Sequence, residues 1–260
     1  MPAGVLTPAV GIRDLSQVTL VAVTDVAIPA TARAVALSQA GLRFGEVLFL
    51  SPTPPPPGTP ATWREIAPLG SRQGYSRFLL HDLAAHIATD HALCVQWDGY
   101  VLNPTAWDPA FLEYDYIGAP WPHFADRMRV GNGGFSLRSK RLIAACRVLP
   151  VTDEAEDIAI CRTHRAMLED RFAIRFAPEA VAARFAWERG APSGGEFGFH
   201  GAFNMVDRDG ALAELLATIE PGLLNRREHR ELLRAALLRG DWRLARAVWR
   251  RLRDPAGRRY

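Results

Sequence analysis

Whether this chain is an α/β protein turns on His91-Ala92-Leu93-Cys94-Val95-Gln96-Trp97-Asp98-Gly99-Tyr100. The first five residues form a short apolar run of the length expected for a buried strand. An acid follows within three residues, with glycine beside it. A carboxylate is costly to bury without a partner, so Asp98 needs a reason. Just past a core strand, many α/β enzymes hold a metal ion or a phosphate. A turn-forming Asp-Gly pair is the plainer alternative.

Upstream, Val18–Thr24 reads as a buried strand of the parallel type and ends in Asp25. Pro29–Ala40 reads as a helix, with Pro29 suited to its first turn and Gly41 to its stop. Glu46–Leu50 is a second strand, and this β-α-β order argues for a parallel sheet. Ser51–Pro60 holds six prolines and is expected to be an irregular surface loop. Tyr75–Thr89 reads as a helix whose mixed apolar face carries Phe78, Leu79, Asp82, Leu83 and Ile87.

Downstream come two short segments, around Tyr114–Gly118 and Gly134–Leu137, the second running into residues that alternate like a strand. A helix capped by Ser139 runs through Arg147, and another opened by Asp153 runs through Glu169. Ala173–Phe176 is expected to be a late strand. Gly190–Gly201 is glycine-rich and expected to be mobile. The last segment reads as two helices, Asn225–Leu238 and Trp242–Arg253, turning at Gly240-Asp241.

With 260 residues, 48% of them hydrophobic, the chain suits one large domain, 1–221, and a helical appendage, 222–260. No run approaches the roughly 18 apolar residues of a membrane span. Met1–Leu15 lacks the layout of an export signal, so a cytoplasmic location is expected. Cys94, Cys146 and Cys161 read as buried free thiols in a reducing compartment. The net charge of +3 is uneven. Residues 222–260 carry 12 Arg against 4 acids, a net +8, which leaves −5 on the rest. Such a basic amphipathic tail either lies on anionic lipid at the inner membrane face or packs on the main domain or on a partner, its arginines solvated. No recognition motif accompanies the charge, so nucleic acid is not the expected partner.

Four clusters and a histidine could carry chemistry. Thr24-Asp25 closes the first strand, where open α/β sheets bind ligands; Asp25 would meet a ribose or a base, or else cap the helix before Pro29. Asp98 could hold Mg²⁺ or Mn²⁺ with diphosphate oxygens completing the shell, although Gln96 stands where a first Asp would strengthen the motif. Gly131-Asn132-Gly133-Gly134-Phe135 implies positive φ or close backbone approach, or else a plain hairpin turn. Nearby Trp121, in Ala119-Pro120-Trp121-Pro122-His123, could stack on a sugar or simply stiffen a loop. In Asp153-Glu154-Ala155-Glu156-Asp157, a capping box accounts for Asp153 and Glu156. It does not account for Asp157, which at a helix N-terminus stays ionised as a general base should. His200 lies between glycines in Phe197-Gly198-Phe199-His200-Gly201, with room to reach a ligand.

Taken in order, the blocks Tyr75-Ser76-Arg77-Phe78, Gln96–Pro104, Tyr114–Trp121, Gly131–Ser139, Glu156-Asp157 and Phe197–Gly201 resemble the bacterial family catalogued as domain of unknown function 5672. The resemblance covers roughly Val18 to Asn204 and leaves out the arginine-rich tail. It implies a glycosyltransferase-like fold of the GT-A type: a mixed, mainly parallel sheet flanked by helices. It further implies a sugar transferase using a nucleotide-diphosphate sugar, such as a UDP- or GDP-sugar. The acceptor would be a glycan or lipid-linked hydroxyl, in the synthesis of bacterial surface polysaccharide or glycoconjugate. On this resemblance Thr24, Asp25, Arg77 and Asp98 meet the donor, and Trp121, Asn132, Gly133 and Gly134 the acceptor. Asp98 and His200 hold Mn²⁺ or Mg²⁺, and Asp157, less readily Glu156, is the base of an inverting displacement. Gln96 departs from the Asp-x-Asp motif of such enzymes and puts the metal in question.

Two other readings compete. A sugar-1-phosphate nucleotidyltransferase needs a glycine-rich loop with Arg and Lys after the first strand, and Thr24-Asp25-Val26-Ala27-Ile28-Pro29 has neither. A non-catalytic carbohydrate-binding or scaffold protein on the same fold would explain Gln96 but not the joint presence of Asp98, Asp157 and His200.

Overall fold

Arg13–Val23 is the first strand, β1, of a six-stranded sheet in the computed structural model, which describes residues 11–206, 210–220 and 222–253. Residues 18–23 are buried without a break, because neighbours cover both faces of a parallel strand. Helix α1 (Ile28–Ser38) follows, entered through Ala27 in the left-handed region at φ 48°. It returns to β2 (Leu42–Ser51), parallel to β1. A third strand, β3 (Thr62–Glu65), lies parallel outside β2. The sequence did not announce it: an edge strand mostly open to water has no apolar alternation to show.

Ser71 caps α2 (Arg72–Arg77) by accepting from Gly74 N at 3.0 Å. The helix continues through a π turn, Phe78–Asp82, in which Leu83 N donates to Phe78 O, and a 3₁₀ turn, Leu83–Ala85. It therefore starts and ends earlier than Tyr75–Thr89. β4 is His91–Val95, as expected, and every residue of it is buried. It pairs parallel with β1 and antiparallel with β6 (Phe135–Ser139), which pairs in turn with β5 (Tyr116–Ile117). The strand order is β3-β2-β1-β4-β6-β5. Only β6 runs against the others, so the fold is mixed α/β with a mainly parallel central sheet flanked by helices. The order reverses direction between β1 and β4, which makes their carboxyl ends the topological switch point.

Ser139 caps α3 (Lys140–Cys146) by accepting from Leu142 N. The next helix corrects the sequence reading. It begins with α4 (Glu156–Ile158), has Ala155 at its cap position, and continues through a second π turn, Ala159–Thr163, to α5 (Arg165–Phe172). Asp153 caps nothing and instead accepts from Gln73, so no Asp153/Glu156 capping box forms. Nor is Ala173–Phe176 a strand. Ala173 takes the left-handed conformation that ends α5, and Phe176 makes a single bridge to Tyr116. β5 is only two residues long and offers no further ladder. After α6 (Glu179–Phe185), the strands β7 (Ala186–Trp187) and β8 (Gly198–Phe199) pair in parallel. Within the glycine-rich 190–201 stretch, Phe197 and Phe199 are buried in the core.

Three helices complete the described chain: α7 (Leu212–Thr218), α8 (Arg226–Leu238) and α9 (Trp242–Arg253). Asn225 and Glu228 form a true capping box on α8. Leu232 and Ala236 of α8 and Leu244, Ala245 and Val248 of α9 share one apolar cluster with Ala30 and Ala34 of α1, Trp97, Tyr100 and Phe199. Ala27 N also donates to Glu220 Oε2 at 2.8 Å. α7 packs on α1, α9 on α7, and α8 on α9 and on the turn Ala202–Met205. All three cysteines are free and buried. Among the described residues no helix is long and apolar enough to cross a membrane.

Candidate functional site at the carboxyl ends of β1 and β4

Past β4 the backbone doubles back at once: Gln96 and Gly99 exchange two hydrogen bonds of 3.1 Å. Asp98 is therefore a turn residue, but its side chain is also buried and aimed at a partner. Beyond this turn, residues 100–102 pair with 197–199, with Leu102 N donating to Phe197 O at 2.9 Å and Val101 bridging Gly198. That pairing carries His200 to Asp98, with His200 Nε2 3.5 Å from Asp98 Oδ1. Gly201 N donates to the Asp98 carbonyl at 2.9 Å and fixes the approach.

The other ring nitrogen of His200 faces a residue that sequence reading missed. Nδ1 lies 3.5 Å from Glu188 Oε1 and 3.1 Å from Asn132 Nδ2. Glu188 follows β7, and the register Trp187↔Phe199 sets it opposite His200. Burial alone would lower the His200 pKa; Asp98 and then Glu188 outweigh it and hold the imidazole well above its ordinary value. Burial likewise raises Glu188, but His200, Arg189 and Asn132 reverse this and leave it below the ordinary range.

Gly133 and Gly134 join this cluster to a second one. They lead into β6, which runs antiparallel to β4, so they stand beside the Asp98 turn. A Cβ on Gly134 would sit 2.1 Å from His200 Nε2, and one on Gly133 2.1 Å from Glu156 Oε1. Only glycine lets the backbone pass between these side chains. Asn132, at φ 70°, accepts from Gly134 N at 3.1 Å. Gly133 N donates to Asp157 Oδ2 at 2.9 Å.

Glu156 and Asp157 have different surroundings. Glu156 is buried and accepts from Arg138 Nη2 at 2.9 Å, and Arg138 is itself 1% exposed. Burial pushes the Glu156 carboxyl up, the neighbouring Asp157 pushes it further, and Arg138 opposes both. Asp157 is half-buried and reaches the Gly133 loop.

The remaining expected residues fall as follows. Thr24 is buried at the end of β1, its hydroxyl bonded to Val26 O, and its N donates to Leu50 O at 3.0 Å. Asp25 does not cap α1, whose cap position is Ala27. It accepts from Gly70 N at 2.7 Å, tying the end of β1 to the loop before α2. Arg77 is exposed and ion-paired with Asp82 at 3.5 Å. Trp121 is 5% exposed, with its ring across Gly131 and edge-on to Phe124. Gln96 is half-buried and donates to Tyr75 Oη at 2.8 Å.

Among the described residues no group of three or more His, Cys, Asp or Glu side chains is arranged to hold a metal ion. Two donors fit one nevertheless. Asp98 Oδ1 and His200 Nε2 face each other, and the Nδ1 side of the ring is turned to a carboxylate, the orientation that metal-bound histidines use.

A search of curated proteins finds no match. Solved structures give distant likenesses. A glycosyltransferase involved in glycosylation of the major capsid of PBCV-1 is 13% identical, with a TM-score of 0.46 over 70% of this chain and 92% of that one. The galactosyltransferase LgtC, in complex with donor and acceptor sugar analogs, is 14% identical, with a TM-score of 0.46 over 82% and 100%. The mannosyltransferase PcManGT from Pyrobaculum calidifontis, in complex with GDP-Man and Mn²⁺, is 12% identical, with a TM-score of 0.41 over 90% and 73%. A family model described as "Protein of unknown function (DUF5672)" matches residues 63–200, a span that holds Asp98, Gly133, Gly134, Asp157, Glu188 and His200. By that match, over more than half its length, this chain belongs to the DUF5672 family.

Proposed function

We propose that this protein transfers a sugar from a nucleotide-diphosphate donor to an acceptor hydroxyl, with inversion at the anomeric carbon. One observation carries the reading. The Asp98–His200–Glu188 cluster at the switch point of the sheet is joined to Asp157 by two glycines that admit no side chain. The β1–β4 crevice is where an open sheet receives a nucleotide, and Thr24 and Asp25 close β1 on one side of it.

Asp157 is the base. It is half-buried, and its Gly133 bond leaves one carboxylate oxygen turned the other way, to the amide of Ile158 at the helix start. Glu156 is committed to Arg138 and serves to hold the Gly133 loop. Asp157 takes the proton as the acceptor oxygen bonds to the anomeric carbon. The bond from that carbon to the diphosphate oxygen breaks on the opposite face, and its electron pair leaves with the diphosphate. Asp98 and His200 would hold Mn²⁺ or Mg²⁺, which when bound neutralises charge growing on the leaving group. Glu188 orients His200 for this. The acceptor, a glycan or a lipid-linked hydroxyl, would approach along Asn132, Gly133 and Gly134.

The test measures release of nucleoside diphosphate from a panel of UDP- and GDP-sugars. Asp157→Asn keeps an acceptor atom for Gly133 N, gives up the one that meets Ile158 N, and cannot take a proton. It should lower turnover by about 10²–10⁴-fold and leave nucleotide affinity near that of the wild type. Turnover at the wild-type rate removes Asp157 from the mechanism. Glycan binding without release from any donor would make this a carbohydrate-binding protein instead.

A further inference from the structure

Eight large apolar side chains are strongly exposed among the described residues, and four of them, Leu237, Leu238, Trp242 and Trp249, lie in the α8–α9 hairpin. Leu238 is 74% exposed, Trp242 72% and Trp249 51%. α9 buries Leu244, Ala245 and Val248 against the core. Its opposite stripe runs Trp242, Arg246, Trp249, Arg253 at the i, i+4, i+7, i+11 spacing of one helix face, with Arg250 alongside, and every one of these is exposed. A stripe turned to water has no reason to carry two indoles. At a bilayer surface it does: indole rings settle at the headgroup boundary and guanidinium groups meet lipid phosphates.

Charge selects the occupant. The segment 222–260 carries a net +8 while the rest of the chain carries −5, so an anionic surface attracts this end and repels the other. A symmetric dimer over the same face would set Arg246, Arg250 and Arg253 against their own copies, which like-charge repulsion opposes. A cleft of about 370 Å³ lies behind the hairpin, walled by Trp187, Glu188, Arg189, Glu231 and Arg239. Its wall follows α8 as far as Arg239, beside the hairpin turn, and reaches Glu188 of the His200 cluster.

We propose that the α8–α9 hairpin seats the protein on an anionic lipid bilayer, with Leu238, Trp242 and Trp249 at the headgroup boundary and Arg246, Arg250 and Arg253 on lipid phosphates. The docking does not depend on the transfer chemistry, and its test uses no sugar donor. Full-length protein is sedimented with vesicles of phosphatidylcholine containing about one third phosphatidylglycerol, a fraction rich enough to make the surface anionic, and with phosphatidylcholine alone. Two variants accompany it: Trp242→Ala/Trp249→Ala, and Arg246→Glu/Arg250→Glu, which keeps both tryptophans. The expected result is binding to anionic vesicles that falls with added salt, and roughly tenfold or weaker binding of either variant and of the wild type on neutral vesicles. Both variants leave Leu244, Ala245 and Val248 in place and should keep the wild-type melting temperature; should the tryptophan variant fail to fold, the arginine variant decides alone. Equal binding of wild type and arginine variant, or equal binding to neutral and anionic vesicles, overturns the proposal. So does a lipid-free dimer that the arginine variant loses, which would assign the face to a second copy.

Discussion

Gly133 and Gly134 are neighbours in sequence, yet a methyl group on each would do different harm. On Gly134 it would push the His200 ring away from Asp98, since it would lie 2.1 Å from Nε2. A histidine moved off its carboxylate can give up its proton, so Gly134→Ala should cost less stability than Gly133→Ala and lose about 10²-fold in kcat/KM, the cost of misplacing a reacting group by about 1 Å. On Gly133 the methyl would drive Glu156 off Arg138. Arg138 cannot shed its charge, and leaving it buried without a partner costs about 3–5 kcal/mol. Gly133→Ala should therefore appear in urea unfolding before it appears in kinetics. Equal midpoints for the two variants would contradict this division. At this scale the sequence spoke where a residue sat oddly in its context: an acid past a core strand, a histidine between glycines, a second acid that a capping box could not absorb. Glu188 had no such mark. Trp187-Glu188-Arg189 reads as an ordinary surface pair, and only the β7–β8 register turns the carboxylate to His200. The Asp153/Glu156 spacing misled for the opposite reason, being a good local pattern that the Arg138–Glu156 pair overrides.

At the scale of elements, Asp115 joins four pieces of the chain. Beside β5 it accepts from Ser139 Oγ at the end of β6, from Arg141 Nε at 3.2 Å in α3, and from Arg175 N at 2.8 Å past α5. Burial would raise its pKa, but these donors outweigh it and hold the carboxyl below its ordinary value. A depressed carboxylate stabilises the fold above its unfolded pKa, about 3.9, and that stabilisation disappears as pH falls through the lower folded value. Asp115→Asn should thus cost about 2 kcal/mol near neutral pH, the worth of hydrogen bonds to a charged group. The gap between mutant and wild-type melting temperatures should close as the buffer is taken below pH of about 4. A gap independent of pH would refute the assignment. Buried elements were legible beforehand. β4 was read to the residue because all five of its side chains are buried, and the Ser139 cap was read because its hydroxyl has one local use. β3 was not, since its residues are mostly open to water and show no apolar alternation. Nor could periodicity show the π turns at Phe78–Asp82 and Ala159–Thr163, each a hydrogen-bond slip of one residue inside an otherwise regular pattern.

For the whole molecule, the tail is a covering layer. Ending the chain at residue 221 would strip Leu232, Ala236, Leu244 and Val248 from the apolar cluster they share with α1 and uncover the side of α7 that α9 packs on. A 1–221 fragment should accordingly precipitate or bind more of a hydrophobic dye than the full chain does; a soluble fragment with a cooperative melt would overturn this. The same cluster also has a consequence in time. α1 leaves the ribosome well before the segments that cover it: the amide of Ala27 at its start is met by Glu220, and its outer face by a helix that begins at Leu212. At synthesis rates of about 5–20 residues per second, roughly 10–40 s separate the two ends. Through that interval the β1-α1-β2 unit must stay in solution half-covered. α1 is made long before it is sealed, and any pause in translation past β4 lengthens the wait.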